Sequence, residues 1–223
     1  KENVIKRPPL PLTTSILQQK ASNSLGYSPK RTMQVAQKLY EGGHITYMRT
    51  DSKKYSVKFL KDLSKYIEKQ YGKSYVSKDI MKLSNKVKKT KKDTSQEAHE
   101  AIRPTHISVL SAGKDSSEQS LYNLIRNITL ESCMKNAIYK SICAVITSPT
   151  KYVFKHSEEQ VVDPGWKIVQ GYEKENEHFK HFANIKKEKH VKYDKIVGEP
   201  HLKDRKIHFT EAKLVQTLEK KGI

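Results

Sequence analysis

His44-Ile45-Thr46-Tyr47-Met48-Arg49-Thr50-Asp51-Ser52 is the stretch that decides how this chain is read. It follows a helical pattern that stops at Gly42-Gly43. Ile45, Thr46, Tyr47 and Thr50 are strand-favouring types, so the stretch predicts one short extended segment. Alternate side chains of a strand share a face, which puts Ile45, Tyr47, Arg49 and Asp51 on one side. Ile45 anchors that side to the core, and a phenol, a guanidinium and a carboxylate then stand in a row. A tyrosine is a covalent nucleophile when something activates it. An arginine is shaped to hold a phosphate with two donors. The row points to a tyrosine that attacks a phosphodiester. The competing reading is a packing tyrosine: the chain has 12 Tyr, and most Tyr bury a ring and make one hydrogen bond. Spacing alone leaves both open.

Working back from that stretch, Ser28 caps and Pro29 opens a helix to Glu41, burying Met33, Ala36, Leu39 and Tyr40. Before it, Thr13 or Thr14 caps a helix through about Asn23, and Leu25-Gly26-Tyr27-Ser28 turns. Two helices around a Gly-containing turn resemble a helix-turn-helix, or an ordinary helical hairpin. Working forward, Asp51 or Ser52 caps a helix to about Tyr71 with Val57, Leu60, Ser64 and Ile67 at helical spacing, and Gly72 stops it. A helix N-terminus at Asp51-Ser52 offers free N–H groups to a phosphate. Gly72-Lys73-Ser74 resembles the end of a phosphate-binding loop, but Ile67 stands where that motif needs Gly. No nucleoside triphosphate site is read there. Residues 73–95 are polar and carry Lys86, Lys88, Lys89, Lys91 and Lys92, which reads as a surface loop.

Ser116 or Ser117 caps a long helix to about Asn136, with Leu121, Leu124, Ile125, Ile128 and Cys133 as its buried stripe. Then the character changes. Residues 138–147, 152–156, 166–172 and 191–197 read as strands, punctuated by Pro149, Asp163-Pro164-Gly165 and Gly198. Trp166 is read as core. Thr210 caps a last helix.

Charge sets the partner class. Lys+Arg is 43 against Asp+Glu 24, a net of +19, and the pI is near 9.7. Such an excess is the electrostatic footprint of a polyanion binder, with nucleic acid ahead of an anionic membrane. The 37 Lys suit non-specific phosphate contact, whereas the 6 Arg, Arg49 and Arg103 among them, are placed sparingly. Cys133 and Cys143 form no CxxC pair, which argues against a zinc site and a disulfide scaffold. No apolar run of about 18 residues is present, so no membrane span is expected. The first residues lack a signal-peptide core and an initiator Met, and read as the start of an excised or processed chain.

A second stretch, Glu97-Ala98-His99-Glu100-Ala101-Ile102-Arg103-Pro104-Thr105, completes the motif set. His99 and Arg103 share a face on a helical turn, although Pro104 pushes Arg103 out of helical geometry. Taken together, residues 45–52 resemble the active-site segment of type IA DNA topoisomerases, and residues 97–105 resemble that family's downstream stretch. Met48 and Glu100-Ala101-Ile102-Arg103 bring the chain closer to the bacterial topoisomerase I branch than to topoisomerase III. The resemblance runs, with gaps, from about Pro8 to the C-terminus.

That resemblance implies an α+β fold: a mostly helical active-site tyrosine domain over 7–137, a β-rich arch segment over 138–208, and the start of a further helical domain over 209–223. It implies that the arch is incomplete here, because it also draws strands from another stretch ahead of the tyrosine domain. It makes Tyr47 the nucleophile of a 5′-phosphotyrosine, Arg49 its phosphate clamp and Asp51 an orienter of neighbours. His99 then lies beside the scissile phosphate, Arg103 holds phosphate or pairs with Glu97 or Glu100, and Thr50 and Ser52 line the DNA. The partner is DNA, single strands especially, and the location is intracellular, with DNA. The full enzyme needs Mg2+ but no ATP. No Asp-x-Asp occurs here, so the metal ligands are expected outside this chain and the isolated chain is expected to be inactive. The rival readings are a non-catalytic basic DNA-binding module and a tyrosine recombinase or type IB enzyme, which makes the opposite, 3′-phosphate linkage.

Overall fold

A computed structural model describes residues 2–85, 99–148, 152–186, 189–190, 192–200 and 208–222. The architecture is α+β. In chain order it runs β1 (Glu2–Lys6), α1 (Thr14–Leu25), α2 (Pro29–Glu41), α3 (Val57–Tyr71), α4 (Ser116–Ser132), β2 (Ala137–Thr147), β3 (Val153–Asp163), α5 (Glu177–Asn184) and α6 (Glu211–Lys221).

The helices start where their capping side chains sit. Thr13 Oγ1 accepts from Ile16 N–H for α1, and Ser28 Oγ accepts from Arg31 N–H for α2 with Pro29 at the first position. α2 buries Thr32, Val35, Ala36 and Leu39. Met33 packs only partly and Tyr40 is exposed, because the buried stripe runs one position off the expected one. α4 is capped by Asp115 rather than by Ser116 or Ser117. The Glu118 N–H bonded to the Asp115 carboxylate holds that carboxyl below its ordinary range.

Two hydrophobic clusters share α4 as a wall. The first gathers Leu17, Ala36, Leu39, Ile45, Met48, Ile102, Leu121 and Ile125. The second gathers Tyr55, Phe59, Leu60, Leu63, Ile67, Ala101, Leu130 and Met134. Residues 101 and 102 lie on opposite clusters, as neighbours in an extended segment must.

α3 begins later than Asp51 or Ser52. Its cap is Ser56, and it buries Phe59, Leu60, Leu63 and Ile67, while Val57 is exposed. The cause is Tyr55, which is fully buried. Its N–H donates to Leu83 C=O at 2.8 Å and its C=O accepts from Asn85 N–H at 3.0 Å. Its hydroxyl lies 3.1 Å from Ser132 Oγ, and burial pushes the phenol pKa up. The backbone must stay extended there, so no helix N-terminus faces Asp51-Ser52. The same bonds order residues 73–85, read above as surface loop: two 3-10 turns, Lys73–Tyr75 and Ile80–Leu83, pack Ile80 into the second cluster. The lysines at 86, 88, 89, 91 and 92, and Glu97, lie outside the described residues.

The sheet order is β1-β2-β3, antiparallel throughout. β1 lies ahead of α1 in the chain and pairs Lys6 with Ala137 and Glu2 with Ser141. Residues 166–172 form no strand. Gly165–Val169 is a 3-10 turn that carries Trp166 onto the second cluster, with its Nε1–H donating to Lys6 C=O at 3.0 Å. Gly165 has φ 49, and a Cβ there would lie 2.2 Å from Asn136 O, so the turn requires glycine. The described residues of 191–197 are without regular structure, whereas α5, capped by Asn176, was not anticipated. Thr210 Oγ1 accepts from Lys213 N–H at the start of α6, which lies against α1. No helix among the described residues is long and apolar enough to cross a membrane.

Candidate active site

α2 ends at Gly42, and Gly43 turns the chain with φ 73, a conformation that favours glycine. The chain then enters 44–52. Ile45 and Met48 are each 1% exposed and plug the first cluster. Only Ile45 makes a bridge, to Pro104, so this is a pinned loop and not a strand. Ile45 therefore does not share a face with Tyr47. From 47 onward alternation does hold. Tyr47, Arg49 and Asp51 are exposed, while Met48, Thr50 and Ser52 are buried or half-buried.

Tyr47 is 47% exposed, with its ring edge-on to Tyr40 at 5.2 Å. Among the described residues its hydroxyl has no hydrogen-bond partner. Arg49 makes no ion pair or hydrogen bond with a described residue, and lines an open groove of about 840 Å³ along α2. The groove's other cations are Lys30, Arg31 and Lys38. Arg31 donates to Ser117 Oγ at 3.0 Å and stacks on Tyr27, and Lys38 lies 3.6 Å from Glu118. Arg49 and Lys30 are left as its free cations among the described residues.

Asp51 has no partner among the described residues, so it orients none of its neighbours here. Thr50 Oγ1 accepts from Ser52 N–H at 3.1 Å, and Ser52 Oγ accepts from Lys54 N–H at 3.2 Å. His99 is exposed, and its C=O accepts from Asn85 Nδ2 at 3.5 Å. Its segment reaches the tyrosine loop through Ala101, whose C=O accepts from Thr46 Oγ1 at 3.0 Å.

Arg103 is placed differently. Its Nε donates to Glu100 Oε2 at 2.7 Å, its Nη1 donates to Pro104 C=O at 3.0 Å, and its guanidinium lies 4.0 Å over the Phe59 ring. The side chain is 13% exposed. Of the two roles weighed for it, the pair with Glu100 is the one observed.

The sequence reading passed over Thr14 and Thr46, whose hydroxyls hold the loop on either side of Tyr47. It also passed over Tyr40. The doublet Thr13-Thr14 was the available signal for Thr14, since only one of the two can cap α1.

The model of the bacterial DNA topoisomerase family matches residues 1–223. The chain belongs to that family. DNA topoisomerase 1 of Buchnera aphidicola from Acyrthosiphon pisum is 41% identical over 218 residues, covering 96% of this chain and 24% of that protein. DNA topoisomerase 1 of Helicobacter pylori is 37% identical over 227 residues, covering 96% of this chain and 30% of that protein. The crystal structure of full-length topoisomerase I from Thermotoga maritima superposes with a TM-score of 0.70 at 27% identity, over 100% of this chain and 36% of that one. The chain spans about a quarter to a third of the length of these curated relatives. The α+β fold and the type IA resemblance of its motifs agree with all three comparisons.

Proposed function

We propose that this chain is the nucleophile-bearing part of a type IA DNA topoisomerase. In the parent enzyme Tyr47 Oη attacks a phosphodiester of one DNA strand. An Oη–P bond forms as the P–O3′ bond breaks, leaving a 5′-phosphotyrosine and a free 3′-hydroxyl. A second strand passes, the 3′-hydroxyl attacks back, and the backbone is restored. The ester conserves the bond energy, so negative supercoils relax without ATP. The observation that carries the reading is Tyr47 itself: half-exposed, on a loop whose flanking residues are pinned in the core, with its hydroxyl and the Arg49 guanidinium two residues on both unengaged among the described residues.

The roles follow from the chemistry of the residue types. A phenol has a pKa near 10, and about one in a thousand is ionised at pH 7, so attack needs proton removal and positive charge at the phosphoryl oxygens. Arg49 supplies charge, His99 orients or donates to the phosphate, and Thr50 and Ser52 lie along the strand. Arg103 acts by holding Glu100 and Phe59, and Asp51 awaits a partner from DNA or from the rest of the parent. Magnesium serves the parent from ligands outside this chain. Among the described residues no three His, Cys, Asp or Glu are grouped to hold a metal, so the residues present do not fit the ion. The net charge of +19 favours DNA as partner, and the family resemblance adds single strands especially and the compartment that holds DNA. Residues 7–137 are the tyrosine domain, 138–208 belong to the arch, joined by β1, and 209–223 open a further helical domain.

The test is capture of protein on end-labelled single-stranded DNA after denaturation, using the full-length parent. Tyr47→Phe is expected to abolish the adduct and leave DNA binding intact, and the label is expected to report a 5′ linkage. An adduct in Tyr47→Phe, or a 3′ linkage in the unaltered protein, overturns the assignment. Binding without any adduct in the unaltered parent supports the non-catalytic module instead.

A further inference from the structure

One hydrogen-bond pattern recurs on the two sides of Tyr47. Thr14 N–H donates to Thr50 C=O at 2.9 Å. Thr14 Oγ1 accepts from Thr50 N–H at 2.9 Å and donates to Met48 C=O at 2.7 Å. Thr46 repeats this on the next segment. Its N–H donates to Arg103 C=O at 2.9 Å, and its Oγ1 accepts from Arg103 N–H at 3.0 Å and donates to Ala101 C=O at 3.0 Å. In both cases one threonine takes the two backbone groups of one residue and the carbonyl two residues earlier. Ile102 N–H donates to Leu12 C=O at 2.8 Å and closes the ring of three segments.

We propose that Thr14 and Thr46 are positioning residues that fix Tyr47 and Arg49 for attack. This inference rests on the reading of Tyr47 as nucleophile. The loop has no strand ladder, so its inward backbone groups need partners from elsewhere. The Thr14 hydroxyl supplies them for Met48 and Thr50, and the Thr46 hydroxyl, from the loop itself, does the same for Ala101 and Arg103, each as donor and acceptor at once. Thr14 thereby fixes the peptide planes before and after Arg49, and Thr46 anchors the residue next to Tyr47 through its own N–H and hydroxyl to the segment 101–103. Packing cannot do this for the tyrosine, because its ring is half-exposed and its hydroxyl is unengaged among the described residues. Nor is Thr14 needed by its own helix, since Thr13 Oγ1 caps α1 by accepting from Ile16 N–H at 3.2 Å. In-line attack tolerates little displacement, and an error of about 1 Å costs roughly a hundredfold in rate.

Single-turnover cleavage of labelled single-stranded DNA by the full-length parent tests the proposal, with affinity measured in a Tyr47→Phe background. Thr14→Val and Thr46→Val keep the branched shape and remove the hydroxyl. Each is expected to slow cleavage by at least roughly tenfold, as a partial misplacement does, with DNA affinity unchanged. Thr14→Ser and Thr46→Ser keep the hydroxyl and are expected to regain most of the rate. A merely structural role would not give this split between rate and affinity together with rescue by serine. Cleavage at the unaltered rate in both valine variants overturns the proposal, as does a parallel loss of DNA binding, or serine variants as slow as the valine ones. Hydrogen exchange in the unaltered parent is independent of any variant's folding. The Thr50 and Arg103 amides are expected to be protected although neither lies in a helix or strand, and free exchange of either overturns the clamp. An adduct formed by Tyr47→Phe refutes the nucleophile assignment itself, a result separate from all of these.

Discussion

Replacing Arg103 with Ala separates a structural arginine from a phosphate-binding one. In the structure its guanidinium donates to Glu100 at 2.7 Å and to the Pro104 carbonyl at 3.0 Å, and covers Phe59 at 4.0 Å. The pair is mostly buried, with side-chain exposures of 13% and 22%. A hydrogen bond to a charged group contributes about 1.5–3 kcal/mol, and a cation over an aromatic face about 0.5–2 kcal/mol. Breaking a fully buried pair costs about 3–5 kcal/mol, because the abandoned charge is left without compensation. Glu100 is not fully buried and water screens it in part, so Arg103→Ala is expected to destabilise by about 2–3 kcal/mol. Arg103→Lys keeps the charge but loses the planar fork and the stacking, and is expected to cost about 1 kcal/mol. Urea unfolding of the 223-residue chain measures both, and salt titration of DNA binding supplies the contrast. On this reasoning the salt slope of binding stays the same in Arg103→Ala. Unaltered stability, with a slope reduced by about one unit, would show that the side chain leaves Glu100 to grip phosphate.

Other consequences are equally direct. The Lys-dominated charge predicts sequence-tolerant DNA binding that weakens steeply with salt, and a flat salt titration refutes it. Glu131 is 3% exposed, and burial raises its carboxyl pKa, against the opposing pull of Gln170, Lys20 and Lys167. Its folded form therefore holds a proton more tightly than its unfolded form. That contribution to stability is present below the ordinary carboxylate range and is lost as pH rises through the folded pKa. Glu131→Gln keeps an oxygen for the Gln170 amide, so it should be more stable than the unaltered chain at pH 7, with the advantage vanishing below about pH 4.5. An advantage that persists at low pH would assign the effect to packing.

The helices that scaffold the site were readable because their causes are local. Ser28-Pro29 at the start of α2, Thr13 at the start of α1 and Gly72 at the end of α3 each act within four residues. Element starts set by distant partners were not. The fully buried Tyr55 draws its backbone bonds from residues 83 and 85 and delays α3 to Ser56. Trp166 turns onto the second cluster and bonds a carbonyl 160 positions away, which removes a strand that residue types alone support. Propensity describes a chain without these partners, and they override it.

The same distinction governs the site. The residue types of 45–52 announced their chemistry, because a phenol beside a guanidinium is informative whatever the backbone does. Their conformation was not announced, because it is imposed by segments 12–14 and 101–103. A regular strand at this place would satisfy its backbone by continuous pairing, and its edge would be occupied by a neighbour. The observed loop instead sends Ile45 and Met48 inward three residues apart, meets backbone needs at Met48 and Thr50 through the Thr14 hydroxyl, and leaves the Tyr47 hydroxyl and the Arg49 guanidinium without a hydrogen-bond partner among the described residues. An exposed nucleophile in a fixed position requires both conditions at once: backbone held from below, and side chain unclaimed from above. That combination needs long-range contacts by construction, which is why alternation in the sequence placed Tyr47, Arg49 and Asp51 on one exposed side while misplacing their anchor.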